Sequence, residues 1–168
     1  MAIVSSAAAG RRAAPRATVV QLRAPALTTA ELEQEARALV ASASVPVLVS
    51  SRCDVVLACD AAGVNLPESD VPVAAARMLL GKRLIGRSVH SIASARAAER
   101  EGADYVIFGP VWESASHPGT APAGLAALAR VARSVRIPVL AIGGVTVERV
   151  AEVLASGAAG YAAIRLFA

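Results

Sequence analysis

Short apolar runs rich in β-branched residues alternate along the chain with longer alanine-rich stretches whose apolar residues recur at helical spacing. Runs of the first kind are typical of buried strands, and stretches of the second kind are typical of amphipathic helices. Their alternation predicts repeated βα units with parallel strands. The predicted strands lie at residues 18–23, 45–50, 63–66, 83–88, 105–109, 139–143 and 160–164, with residues 2–5 as a candidate for one more.

Capping residues mark the ends of several predicted helices. The clearest helix spans residues 28–43, where Thr28 and a glutamate three positions later form the pattern of a capping box. A second helix, at residues 91–102, begins at a serine, and a third, at residues 147–157, follows Thr146. The remaining helices are predicted at residues 52–61, 72–80 and 125–134. One βα unit recurs about every 20 to 25 residues, which predicts an α/β fold of the TIM (β/α)8 barrel type.

Both ends of the predicted barrel are short. A TIM barrel usually has about 250 residues, whereas this chain has 168. Only residues 6–16 are available for the first helix, and no final helix follows the eighth strand. We therefore predict residues 1–17 to be flexible or a partial first βα unit, and residues 18–168 to form the barrel. A second copy would cover the open wall beside strands one, two and eight, so we expect a homo-oligomer. A natural short form, a gene fragment and a domain-swapped oligomer are all open as explanations of the short ends.

Composition narrows the classes of function. Hydrophobic residues make up 55% of the chain, which is enough for one domain with a full core. Aromatic residues make up only 3% and leave little on which nucleic-acid bases could stack. The net charge of +4 comes from arginines spread along the chain, which favours small anionic ligands. Because no apolar run reaches the about 18 to 20 residues of a membrane span, we expect neither a nucleic-acid partner nor a membrane partner.

Two sequence features bear on localisation. Cys53 and Cys59 lie six positions apart in an apolar stretch, a spacing that fits neither a metal site nor a disulfide. We interpret both as reduced core residues of a cytoplasmic protein. The first 17 residues are rich in Ala, Ser and Arg, and the first acidic residue is Glu31, which is also typical of organellar transit peptides. The first 17 residues are therefore either a transit peptide or a flexible N-terminus. We favour the flexible N-terminus and expect a cytoplasmic location.

Polar side chains and glycines follow three predicted strands, at the edge where parallel barrels carry their functional groups. His90 follows the fifth strand, where its imidazole can move a proton near neutral pH or can simply cap the next helix. Gly143 and Gly144 follow the seventh strand, where backbone N–H groups and the N-terminus of the next helix can bind a phosphate. Arg165, after the eighth strand, is either a further phosphate ligand or an ordinary surface arginine.

Longer motifs around these positions carry a family resemblance. The sequence IGRSVHS at residues 85–91, followed by GADYV and FGPV within residues 98–111, resembles the middle of proteins of the thiamine phosphate synthase/TenI superfamily. The sequences IPV and AIGG within residues 137–144, and the glycines of residues 157–160, resemble the C-terminal part of the same proteins. The resemblance covers residues 19–164, and it implies a (β/α)8 barrel that binds a phosphorylated ligand at the C-terminal ends of its strands.

The chain departs from the synthase pattern at the positions that serve Mg²⁺ and pyrophosphate. Synthases join a pyrimidine pyrophosphate to a thiazole phosphate with Mg²⁺, which needs metal-binding carboxylates and cations. After the second strand Pro25 replaces the lysine of the Gln-x-Arg-x-Lys pattern, and after the third strand Ser51 replaces a metal-binding aspartate. Asp70 survives after the fourth strand without its partner. After the sixth strand His117 takes the position of a lysine, and we expect it in a solvated loop.

Proteins of the TenI branch do not need the metal site, so the resemblance favours a TenI-like thiazole tautomerase of thiamine biosynthesis. The implied reaction moves a proton so that the ring of a thiazole carboxylate phosphate becomes aromatic, with His90 as the acid/base and with no metal or cofactor. Arg23 would pair with the substrate carboxylate. The predicted substrate-binding residues are Arg23, Ser88, Gly143, Gly144 and Arg165. The alternatives are a thiamine phosphate synthase with an eroded Mg²⁺ site and a non-catalytic barrel that binds a phosphate ligand or a regulatory partner.

Overall fold

The computed structural model describes residues 1–114 and 119–168. Eight parallel strands form one sheet in chain order, and every predicted strand is present. Most observed strands are shorter than the predicted runs, because the apolar runs continue past the last residue that pairs with a neighbouring strand. The strands are β1 (Ala2–Val4), β2 (Val20–Leu22), β3 (Val47–Ser50), β4 (Gly63–Leu66), β5 (Leu84–Val89), β6 (Tyr105–Phe108), β7 (Val139–Ala141) and β8 (Gly160–Tyr161).

The sheet closes on itself to make a barrel. Ala2 and Ala163 form a parallel bridge between β1 and the residues that follow β8. The Ile3 N–H donates to the Ala163 carbonyl at 2.9 Å, and the Ala163 N–H donates to the Met1 carbonyl at 3.1 Å. These bonds satisfy the backbone groups that an open sheet would leave unpaired at its edges. The predicted α/β barrel is confirmed.

Helices cover the outside of the barrel. They are α1 (Ala7–Ala13), α2 (Thr29–Val40), α3 (Cys53–Cys59), α4 (Val73–Leu80), α5 (Ile92–Arg100), α6 (Gly124–Ser134) and α7 (Val150–Ala155). Thr28 and Glu31 form the predicted capping box before α2, with the Thr28 N–H donating to the Glu31 carboxylate at 2.8 Å. The prediction that Thr146 caps α7 is wrong. The Arg149 N–H bonds to the Thr146 carbonyl in a separate turn, and α7 begins only after Arg149.

The first 17 residues have the secondary structure of a βα unit rather than of a flexible tail. After β1 they form α1 and a 3₁₀ turn at Ala14–Arg16, and Ala7 and Ala13 are buried. We expected an open wall beside the first two strands. In the part of the chain that the structure describes, α1 covers this wall, because it packs against β1, β2 and α2. After β8 the described chain forms only a 3₁₀ turn at Arg165–Phe167, whose Phe167 side chain is buried.

Side chains that point into the barrel change from apolar to polar towards the C-terminal ends of the strands. Successive inward positions lie two residues apart. Along β3 the buried Leu48 is followed by Ser50, which lines the barrel mouth. Along β5 Gly86 leaves room for the Tyr105 ring, since a Cβ on this glycine would lie 2.0 Å from the ring, and Ser88 follows at the mouth. The polar end of the barrel interior is therefore the end at which a ligand can enter.

The two cysteines lie where their apolar surroundings place them. Cys53 and Cys59 begin and end α3, and both thiols are free and buried. Burial raises the pKa of both thiols, which keeps them protonated near neutral pH. Their interpretation as reduced core residues is confirmed. Among the described residues, no helix combines the length and apolar character that crossing a bilayer requires.

Candidate active site

A cavity of about 710 Å³ opens at the C-terminal ends of the strands. Its volume is in the range of small-molecule sites, which is roughly 300 to 1,000 Å³. Residues from all eight strands or from the loops after them contribute to its walls. The cavity brings together all the residues predicted for the site, which are Arg23, Ser88, His90, Gly143, Gly144 and Arg165. The roles assigned to these residues stay predictions.

Two pairs of polar side chains form the floor of the cavity. The Gln21 amide donates to the Ser50 hydroxyl at 2.6 Å, and the Asn65 amide donates to the Ser88 hydroxyl at 3.1 Å. Gln21 and Asn65 are only 2% and 4% exposed, and no described protein atom hydrogen-bonds to their side-chain carbonyl oxygens. A buried acceptor without a partner is costly, so a ligand with N–H or O–H donors would be stabilised here. This floor was not predicted from the sequence, although the strand alternation already directs Gln21 and Asn65 inwards.

His90 has a carboxylate neighbour that the sequence analysis missed. His90 stands directly after β5, and 61% of its side chain is exposed towards the cavity mouth. Its Nδ1 atom is in contact with a carboxylate oxygen of Glu68, from the loop between β4 and α4. Burial raises the pKa of Glu68, but hydrogen bonds with His90 and Ser94 outweigh it and leave the pKa below its ordinary value. The cavity thus contains an imidazole paired with an ionised carboxylate.

Arg87, the arginine of the IGRSVHS motif, holds the loop that carries Glu68. Its guanidinium donates to the carbonyls of Glu68 and Val71 at 2.7 Å each, and to the Asp70 carbonyl at 3.2 Å. A guanidinium presents five donors in a fixed plane, so one side chain can fix several carbonyls at once. The position of Glu68 beside His90 therefore depends on Arg87, which lies in β5 three positions before His90.

The glycine pair after β7 is required by the packing of its loop. Gly143 and Gly144 have φ angles of 93° and 66°, in the left-handed region that glycine tolerates. A Cβ on Gly143 would lie 2.6 Å from the Pro110 Cβ, and one on Gly144 would lie 2.6 Å from the Trp112 Cβ. The helix after the glycines was predicted to begin at residue 147, but α7 begins only at Val150.

Arg149 supports the same loop from the side away from the cavity. Its guanidinium donates to the Gly144 carbonyl at 2.7 Å and stacks on the Trp112 ring at 4.8 Å from the ring centroid. A charged donor and a cation–π contact on one side chain restrain the loop in two directions. The backbone N–H groups of the glycine loop are therefore held in place before a ligand binds.

Two exposed arginines contribute positive charge to the cavity, Arg23 after β2 and Arg165 after β8. The Arg23 N–H donates to the Val4 carbonyl at 2.8 Å, which holds its backbone next to β1. Within residues 1–114 and 119–168, neither guanidinium forms an ion pair with a carboxylate. Both are therefore available to an anionic group such as a phosphate or a carboxylate.

The residues present do not fit the Mg²⁺ site of the synthase pattern. Ser51 offers a hydroxyl where that pattern has a metal-binding aspartate. The Asp70 carboxylate accepts the Val71 N–H at 2.7 Å and does not line the cavity. In the described part of the chain, no three His, Cys, Asp or Glu side chains lie close enough together to hold a metal ion. His117 lies outside the described residues.

Known proteins are similar to this chain in both sequence and fold. A family model described as thiamine monophosphate synthase matches residues 2–167. The chain belongs to this family. It is 42% identical to the thiamine-phosphate synthase of Chloroflexus aurantiacus over 88% of this chain and 70% of that protein. It is 39% identical to the putative thiamine-phosphate synthase 2 of Aquifex aeolicus over 89% of this chain and 82% of that protein.

A solved structure supports the same membership in the thiamine monophosphate synthase family. Thiamine phosphate pyrophosphorylase from Pyrococcus furiosus superposes with a TM-score of 0.87 at 32% identity, covering 97% of this chain and 83% of that one. The predicted superfamily is thereby confirmed. The chain belongs to a family of enzymes of thiamine biosynthesis. All three relatives are named for the transferase, which the sequence analysis held as the alternative to the tautomerase.

Proposed function

We infer that this member of the thiamine monophosphate synthase family is a thiazole tautomerase, which binds a thiazole carboxylate phosphate in the barrel cavity and moves a proton on it with His90. The observation that carries this proposal is the pairing of His90 with the Glu68 carboxylate in a cavity whose residues do not fit Mg²⁺. An imidazole supported in this way can take a proton from one atom of the substrate and return it to another. Neither atoms nor charge are gained, so no co-reactant is needed.

The remaining residues of the cavity suit a small ligand with two anionic groups. The backbone N–H groups of Gly143 and Gly144, together with Arg165, would bind the phosphate, and Arg23 would bind the carboxylate. The Ser88 hydroxyl accepts the Asn65 amide and so keeps its own proton as a donor to the ligand. Anchoring the substrate at both ends leaves the ring between them, where the acid/base group must reach it.

The second candidate is thiamine phosphate synthase, and the names of the relatives favour it. In that function Arg23 and Arg165 would hold the pyrophosphate, because both guanidinium groups are free of carboxylate partners in the described chain. The missing metal ligands count against it, since Ser51 and the Asp70 carboxylate give no set of oxygens for Mg²⁺. The geometry of the site therefore favours the tautomerase over the transferase.

Two assays on the purified protein separate the candidates. One supplies the thiazole carboxylate phosphate in its non-aromatic form and follows aromatisation of the ring. The other supplies the pyrimidine pyrophosphate, the thiazole phosphate and Mg²⁺, and follows release of pyrophosphate. We expect turnover in the first assay and none in the second. Mg²⁺-dependent release of pyrophosphate would contradict the tautomerase, and binding of the thiazole phosphate without turnover in either assay would favour the non-catalytic barrel.

A further inference from the structure

We propose that Glu68 is a positioning residue that fixes the tautomer of the His90 ring, so that Nδ1 carries the ring proton and Nε2 is the atom that exchanges a proton with the substrate. The proposal deepens the tautomerase function proposed above and rests on it for its kinetic part only. Glu68 lies 22 positions before His90 in the sequence and meets it only because the loops after β4 and β5 are neighbours at the barrel mouth.

The chemistry of the contact decides the direction of the hydrogen bond. An ionised carboxylate can only accept a hydrogen bond, so the Nδ1 atom in contact with Glu68 must be the donor. A neutral imidazole has one ring proton, and with that proton on Nδ1 the Nε2 atom keeps its lone pair. A ring held in one tautomer and one orientation does not have to rearrange before it accepts a substrate proton.

Two features of the structure keep the carboxylate ready for this role. The pKa of Glu68 lies below its ordinary value, because hydrogen bonds with His90 and Ser94 outweigh the effect of burial. The backbone of Glu68 is held by Arg87, which donates to its carbonyl at 2.7 Å. The carboxylate is therefore charged near neutral pH, and its loop is fixed to β5, the strand that ends directly before His90.

The negative charge of Glu68 is what makes the choice of tautomer definite. Glutamine can donate as well as accept a hydrogen bond, so it would not impose one tautomer on a neighbouring imidazole. The carboxylate does impose one, which suits a site that depends on a single acid/base group.

Nuclear magnetic resonance measures the tautomer of the His90 ring directly. The protein contains two histidines, His90 and His117, so ¹⁵N-histidine labelling and a His117→Gln background leave only the His90 ring in the spectrum. At alkaline pH, where the ring carries one proton, long-range ¹H–¹⁵N correlations should show Nδ1 protonated in the parent protein. Glu68→Ala should shift the ring to the tautomer mixture of a free imidazole. An unchanged tautomer in Glu68→Ala would overturn the proposal whether or not the protein is active.

Kinetics supply the second readout. We expect Glu68→Ala to lower kcat for aromatisation by about 10- to 100-fold, the usual loss for a group that orients another, with KM changed less than two-fold. Glu68→Gln, which keeps the size of the side chain, should retain part of kcat and guards against a folding defect in the alanine variant. Glu152→Ala, which removes an exposed carboxylate of α7, should change neither readout. A tautomer shift with an unchanged kcat would overturn the positioning role, whereas an inactive parent protein would contradict only the proposed function.

Discussion

The chemistry proposed for this protein depends on one imidazole and on what surrounds it. His90 is 61% exposed and lines the cavity, so a bound ligand can reach its ring. The groups that would bind the phosphate, Gly143, Gly144 and Arg165, belong to loops after β7 and β8 on another part of the rim. Proton transfer and anion binding are therefore assigned to different residues, and substitutions can separate them.

Replacing His90 with Gln should lower the rate of aromatisation by about 10²- to 10⁴-fold, which is the usual contribution of a positioned acid/base group. The affinity for the thiazole phosphate should stay within about two-fold, because the anchor is made by other residues. Single-turnover kinetics and isothermal titration calorimetry measure the two quantities. His117→Gln serves as the matched control and should leave both unchanged. A His90→Gln protein that loses affinity but keeps its single-turnover rate would identify His90 as a binding residue.

At the scale of the structural element, the loop after β7 is organised by contacts on both of its sides. The Cβ positions of Gly143 and Gly144 are blocked by Pro110 and Trp112, so the loop packs tightly against the segment after β6. Arg149 closes the arrangement by bonding to Gly144 and by stacking on Trp112. The loop is thereby preorganised, which lowers the entropy cost of binding an anion to its N–H groups.

Arg149→Ala should weaken binding of the thiazole phosphate without affecting proton transfer. The substitution removes a charged hydrogen bond and a cation–π contact, a loss of about 1 to 2 kcal/mol in loop stability. We expect the dissociation constant to rise by about 3- to 10-fold and kcat at saturation to stay unchanged. Arg133→Ala, on the exposed face of α6, is the matched control. Equal affinities for the two variants, measured by calorimetry, would show that the loop holds its shape without Arg149.

At the scale of the whole molecule, three of the exposed large apolar side chains lie on the neighbouring helices α3 and α4. Leu57 of α3 is 47% exposed, and Met78 and Leu79 of α4 are 88% and 62% exposed. Apolar side chains grouped in this way are common where subunits associate. The expected homo-oligomer therefore has a candidate interface at α3 and α4, instead of the wall beside β1 and β2 that α1 covers.

We expect light scattering at micromolar concentration to give at least twice the mass of one chain. Met78→Glu should shift the protein towards the monomer, because the charge would be buried at the interface without a partner. Val147→Glu is the matched control, since Val147 is 70% exposed but lies in the loop before α7. A monomeric parent protein would contradict the oligomer, and equal masses for the two variants would exclude α3 and α4 as the interface.

The sequence by itself determined the order of strands and helices and the residues that stand at the strand ends. β-Branched runs and the Thr28 capping box are local signals, because their effect depends on neighbours within a few positions along the chain. The same signals were insufficient for residues 1–17 and for the start of α7. In the first case Ala7 and Ala13 are stabilised by packing against other elements, and in the second a turn competes with the helix.

Only the tertiary structure decided which side chains meet inside the barrel. The pairs Glu68 with His90, Gln21 with Ser50, and Asn65 with Ser88 join residues 22 to 29 positions apart. Each pair spans two neighbouring strands, so it exists only after the register between those strands is set. Strand alternation directs Gln21 and Asn65 inwards, but it does not say which side chain each of them meets. Their partners follow from the closure and register of the barrel, which no single stretch of the chain contains.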